Sequence, residues 1–248
     1  MTDTDWMQLK SIALWDGVDL PERLWPDDAS DEYVAARRAL AEAEMSLRDQ
    51  AEEVARLRRA LPPGAVVGDY ALTEGPRDLT RDEPVLTTTP RELFGGHDEL
   101  VVYHLMFHPD DDDACAMCAL WVDGLHGVSH HITRRAGLAV IGKAPLDKLR
   151  RFARRRGWDG LRIVSSHGTS FNADLAVEAP NGAQVPAVST FVREGDEVRH
   201  VQTRPADYPD GSVRGMDLIS PVWNVFDLLP SGRGEWLPDN TYPGRTRG

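Results

Sequence analysis

Cys115 and Cys118 are the only cysteines in the 248-residue chain, and they stand three positions apart in the run Cys115-Ala116-Met117-Cys118. That spacing lets two sulfurs meet within one helical turn, where they can trade a disulfide with an outside partner. The run falls between a strand candidate, Leu100 to Phe107, and a helix expected from about Cys115 to Arg135. A thiol at a helix N-terminus faces unpaired backbone N–H groups and the positive end of the helix dipole, and both favour the thiolate, the form that attacks disulfides. Cys115, at the helix end, is the candidate nucleophile. Cys118, one turn in, is the candidate resolving thiol. Tyr103, His104, Phe107 and Trp121 flank the pair and are expected to line a substrate pocket. A strand histidine such as His104 is more simply buried and hydrogen-bonded than engaged in proton transfer.

Four consecutive acids, residues 110–113, precede the first cysteine. Carboxylates beside a thiol oppose its ionisation, so Cys115 is expected to be less acidic than the thiol of a strongly oxidising dithiol protein. As a bare charge run the segment reads as a solvated loop.

The same sulfurs also have metal-binding chemistry. Thiolate with imidazole suits Cu(I) or zinc, but a closed zinc site wants four nitrogen or sulfur donors. His108, just past the first core strand, and His167, just past the third, are the candidate further ligands, because the carboxyl ends of parallel strands converge on one edge of a sheet. His126, His130 and His131 lie farther along the helix and read as surface or packing residues. Copper or zinc is the cofactor of this alternative, whereas disulfide exchange requires none.

The elements around the pair follow from hydrophobic periodicity and its breakers. Residues 1–29 form an arm carrying Trp6, Trp15 and Trp25. From Ser30, a plausible N-cap, to Leu61 runs a long helical pattern in which Tyr33, Leu40, Leu47, Val54 and Leu61 recur every seven residues. This stripe is suited to packing on the main domain or on a second copy, so a homodimer, redox-inert in the extreme case, is a further alternative. After Pro62-Pro63-Gly64, residues 65–99 read as turns and short extended pieces. Then come the strand Leu100 to Phe107, the helix with the cysteines, a strand at Leu138 to Ile141, a basic helix at Leu146 to Arg156 and a strand at Leu161 to Val164. A hairpin joins Val185–Val192 to Val198–Thr203, and a helix is expected near Val222 to Leu229. The order predicts an α/β domain over residues 65–240 with parallel strands first and antiparallel ones later, preceded by an arm and helix over 1–64 and followed by a tail over 241–248.

Composition narrows the partners. Lys plus Arg is 28 and Asp plus Glu is 40, for a net charge of −12, a field that repels phosphate backbones and anionic bilayers. Neither nucleic acid nor a membrane is expected as a partner; a disulfide-bearing small molecule or protein is. Apolar residues are 41% and charged residues 27%, which fits a globular chain. The first twenty residues hold Asp3, Asp5, Asp16 and Asp19 with a single Lys, unlike a basic, apolar signal peptide, and a cytoplasmic location is expected.

Several segments together resemble the thioredoxin-like family known as domain of unknown function 899. They are Tyr103-His104-Leu105-Met106-Phe107, Pro109-Asp110, the Cys115–Cys118 run, Ala144-Pro145-Leu146-Asp147-Lys148-Leu149, the loop from Val164 to Asn172, Arg214-Gly215-Met216-Asp217 and Asp227-Leu228-Leu229-Pro230. The resemblance spans roughly residues 31–237. It implies a thioredoxin-like fold with a mixed central sheet and an N-terminal helical extension, and a dithiol-disulfide oxidoreductase role. Ala116-Met117 stands where the family usually has Pro-Gly, which bears on the redox potential, and His108 replaces a typical Gly, which bears on the metal reading. Proteins of this fold place a cis-Pro beside the dithiol at the start of the final hairpin, and Pro186 occupies a compatible position. Peroxide reduction is a variant of the same chemistry, but no separate Thr-x-x-Cys motif accompanies it.

Overall fold

The computed structural model describes residues 25–207 and 220–241. Trp6 and Trp15 of the arm, the Arg214-Gly215-Met216-Asp217 segment and the tail from residue 242 lie outside the described residues. The chain divides into two units, residues 1–61 and 62–248.

The first unit contains helix α1, Asp31–Arg59. The Ser30 hydroxyl caps it by accepting the Tyr33 N–H at 3.2 Å. Asp31 and Glu32 occupy its first turn and Arg56, Arg58 and Arg59 its last, so the charges at both ends complement the helix dipole.

The second unit is built on one sheet. In chain order come β1 (Leu72–Glu74), β2 (Leu86–Thr88), a 3-10 turn (Glu92–Phe94), β3 (Glu99–Leu105), α2 (Ala116–Ile132), β4 (Gly137–Gly142), α3 (Leu146–Arg156), β5 (Ile163–Ser165), α4 (Phe171–Asp174), β6 (Ala187–Glu194), β7 (Glu197–Pro205) and α5 (Val222–Phe226). The seven strands are ordered β2-β1-β5-β4-β3-β6-β7. β3, β4 and β5 are parallel, and β1 and β6 close that block on its two sides with antiparallel pairing. Each expected core element is present, displaced by a few residues at its ends. The strands β1 and β2 fall where the sequence reads as turns and short extended pieces, and the 3-10 turn and α4 where it reads as turn and loop; three- and four-residue pieces are too short to show a period.

Strand alternation divides the interior into two cores. Tyr103, Leu105, Leu138, Val140 and Ile163 face one side with Cys118, Trp121, Val122 and Leu125 of α2, Leu149, Phe152 and Ala153 of α3, and Trp223 of α5. Leu100, Val102, Ala139, Ile141 and Val164 face the other with Leu72, Phe94, Phe171, Phe191 and Val198. Every residue of β4 is buried, as a central parallel strand covered on both faces requires. At its start Gly137 passes so close to the 3-10 turn that a Cβ there would lie 2.7 Å from the Leu93 carbonyl oxygen, so only glycine fits. Among the described residues no helix is long and apolar enough to cross a membrane.

Candidate active site

β3 ends at Leu105 and the chain loops through the acids to the start of α2, where Cys115 is the N-cap residue. The loop is closed at its base by the Cys115 N–H donating to the Met106 carbonyl at 3.0 Å. It is held from α3 by Lys148, whose Nζ donates to the carbonyls of Pro109 (2.6 Å) and Asp111 (2.9 Å), and by the Arg155–Asp113 ion pair. The basic helix is thus a clamp on this loop as well as a charged face. On another side the Asn240 amide donates to the Ala114 carbonyl at 2.9 Å, fastening the C-terminal segment against the residue before the nucleophile candidate. No sequence signal marks Lys148, Arg155 or Asn240 for these contacts, because each reaches the loop from a distant part of the chain.

The two cysteines are free and lie 4.0 Å apart. Their surroundings differ. Cys115 is half-buried, and its thiol pKa is lowered to about 6, first because the Cys118 thiol hydrogen-bonds to its sulfur and then, against the opposing effect of burial, because the backbone N–H groups of Cys118 and Met117 point at it. Only the smaller, backbone share is the helix-end stabilisation expected from the position of the run; the larger share comes from the Cys118 thiol. Burial pushes the Cys118 thiol well up, and the neighbouring Cys115 sulfur pushes it further. The acids of residues 110–113 are not among the groups acting on Cys115, and Asp113 is taken up by Arg155, so their expected opposition to ionisation is absent. A pKa near 6 is still higher than the ~3.5 of a strongly oxidising dithiol protein. Alkylation of Cys115 should accordingly rise with pH through a midpoint near 6 and be level by pH 8, since the thiolate is the reactive form above its pKa. Iodoacetamide rates across pH 4–9 measure this, and a midpoint near 9 would contradict it.

The expected pocket residues are placed differently from one another. Tyr103, Phe107 and Trp121 belong to the same buried core as Cys118 and are packed away from solvent, so they support the pair instead of lining an open pocket. Phe107 stacks edge-on against Phe152 at 5.7 Å, and Trp121 against Trp223 at 6.4 Å. His104 follows Tyr103 on β3 and therefore points to the opposite face, where it meets Phe171 and accepts or donates one hydrogen bond with Ser189 Oγ at 2.7 Å. It is buried and hydrogen-bonded, and it is not part of the dithiol site. Pro186 immediately precedes β6 and is half-buried, but its peptide bond is trans; among the described residues the only cis bond is Glu83–Pro84.

The metal ligand set does not assemble. Among the described residues no group of three or more His, Cys, Asp or Glu side chains is placed to hold an ion. His108 turns back on its own loop, accepting the Asp110 N–H at 3.2 Å, and His167 is exposed.

A parallel β3-α2-β4-α3-β5 half, an antiparallel β6-β7 hairpin beside it, and a Cys-x-x-Cys opening the helix after β3 define a thioredoxin-like α/β protein. The chain belongs to the family described as bacterial protein of unknown function (DUF899), whose model matches residues 26–245. No curated protein matches it. Among solved structures it is similar to AhpC of Enterococcus faecalis, at 11% identity over 71% of this chain and 98% of that one, with a TM-score of 0.46. It is also similar to the reduced 2-Cys peroxiredoxin of Plasmodium vivax, at 11% identity over 63% and 93% with a TM-score of 0.43. A third is the peroxidoxin BcpB of Mycobacterium tuberculosis, at 16% identity over 64% and 98% with a TM-score of 0.41.

Proposed function

We propose that the protein is a thiol-disulfide oxidoreductase that works through Cys115 and Cys118 on a disulfide- or dithiol-bearing partner, without a bound metal. The observation that carries this reading is the division of labour within one close pair. The accessible sulfur is acidic, near 6, while the buried one, 4.0 Å away, is held as a thiol. At neutral pH Cys115 is a thiolate and attacks one sulfur of a substrate disulfide; that S–S bond breaks, and the departing thiolate takes a proton from water. Cys118 then gives up its proton and attacks Cys115. The mixed disulfide breaks, the second substrate thiolate leaves with a proton, and the protein carries the new disulfide. The substrate has gained the two electrons that the protein dithiol has lost, and the reverse sequence oxidises a dithiol. Rotation of the side chains closes the gap between the sulfurs to the ~2.05 Å of a disulfide. In a reducing compartment such as the cytoplasm the pair would be kept as thiols, ready to reduce a substrate disulfide.

The test is thiol counting. Reduced protein exposed to oxidised glutathione should fall from two titratable thiols to none, with peptide mapping locating one Cys115–Cys118 disulfide. Dithiothreitol should restore both thiols. Two thiols that persist through the treatment, or glutathione that stays on Cys115 without being displaced, would overturn the proposal.

A further inference from the structure

Tyr103 is completely buried on β3, and its hydroxyl finds no nitrogen or oxygen partner among the described residues; the group it meets is the Cys118 thiol. A phenylalanine would fill the same volume without stranding a polar oxygen, so core packing alone does not account for this one. The oxygen faces the dithiol. Burial first, and then the Cys118 and Cys115 sulfurs, hold the phenol pKa well above its usual value, so it stays neutral and keeps its proton available to donate. Of the influences on Cys118, burial and the Cys115 sulfur disfavour its thiolate, and the Tyr103 hydroxyl and the Met106 backbone favour it. A thiol is a weak acceptor and a thiolate a strong one. A weak contact to the resting thiol that strengthens when the sulfur becomes charged is how a preorganised donor stabilises a transition state.

We propose that Tyr103 is a positioning residue for the resolving step, its hydroxyl donating a hydrogen bond to the Cys118 sulfur as that sulfur becomes a thiolate and attacks Cys115. This deepens the dithiol reading and rests on it. In the mixed disulfide, the Cys118 electron pair forms the Cys118–Cys115 bond while the bond from Cys115 to the substrate sulfur breaks. The proton lost by Cys118 ends on the departing substrate thiolate. Tyr103 keeps its own proton throughout, so it changes the rate of resolution and leaves the overall balance untouched.

An aromatic disulfide such as dithionitrobenzoate separates the two steps, because attack by Cys115 releases one coloured thiolate and resolution by Cys118 releases a second. In stopped flow with the full chain, Tyr103→Phe should leave the first phase within about twofold. It should slow the second about tenfold or more, as loss of a hydrogen bond to a charged group implies, and move the second phase's pH midpoint upward. Replacing the tyrosines with 3-fluorotyrosine, a stronger donor of nearly the same size, should speed up the second phase. A second phase unchanged in rate and pH midpoint in Tyr103→Phe would overturn the assignment, as would equal slowing of both phases. Wild-type protein that lacks the second phase altogether would instead overturn the dithiol reading itself.

Discussion

Cys115→Ser should lower disulfide reduction to the background rate, a loss of at least about a thousandfold, because a serine hydroxyl is not ionised at neutral pH and no other thiol is within reach of an outside disulfide. Cys118→Ser should behave differently. Its first attack should proceed, and the protein should then stall as a stable mixed disulfide at Cys115, visible as a mass adduct and as release of a single coloured thiolate. Cys118→Ala adds a second signature. The hydrogen bond from the Cys118 thiol is the main influence lowering the Cys115 pKa, so its removal should move the alkylation midpoint up from about 6 toward the ordinary thiol value, leaving only the N–H groups of Met117 and Cys118 to hold it down. Equal rates in wild type and Cys115→Ser would remove the chemical basis of the proposal. Faster loss of activity in Cys118→Ser than in Cys115→Ser would reverse the assigned roles.

Acid should destabilise the fold through His104, on the far side of the sheet from the dithiol. Burial first, and His200 second, lower its pKa from 6.5 to about 3. The imidazole is tied to Ser189 Oγ at 2.7 Å, Ser189 to Thr203 Oγ1 at 2.7 Å, and Thr203 to His200 Nε2 at 2.8 Å, a polar chain across β3, β6 and β7. Above pH 6.5 the side chain is neutral in both the folded and the unfolded chain and proton linkage costs nothing. Below 6.5 the unfolded chain takes up a proton that the folded protein refuses until about pH 3, so stability falls as pH drops, by about 1.4 kcal/mol per pH unit from this one residue. By pH 4 that amounts to roughly 3 kcal/mol. His200, half-buried and also lowered by burial, adds to the loss in the same direction. Urea titrations between pH 7.5 and 4 should show the decline, and His104→Leu should flatten it by about one proton while leaving Ser189 its bond to Thr203. An identical pH slope in His104→Leu would contradict the assignment of the linkage to this residue.

The order of the core elements was readable because each carries its own period. β3 and β4 are apolar runs ended by breakers, α3 alternates Leu and Phe with arginines at helical spacing, and the hairpin turns at Gly195, whose φ of 61° suits glycine. β1 and β2 carry no such period, since three residues held between neighbours take their conformation from the sheet they join and not from their own side chains. Spacing alone brought Cys115 and Cys118 to one helix end, because a three-residue offset is local geometry.

Proximity of the sulfurs and the identity of the sheet around them were therefore already encoded in local patterns: the three-residue offset and the alternation of strand and helix. Which sulfur is acidic, and which neighbours are pocket and which are core, came from long-range packing. Adjacent residues on a strand face opposite layers, so Tyr103 lies behind Cys118 while His104 lies across the sheet, and no linear pattern says which layer holds the thiols. His108 and His167 are close to the ends of their strands in sequence, yet loop conformation turns one back on its own backbone and leaves the other exposed. Burial and electrostatic environment are properties of the assembled interior, set by what α2, α3 and the C-terminal segment bring from far along the chain, and for that reason the unequal acidities of two identical side chains emerge only in the folded molecule.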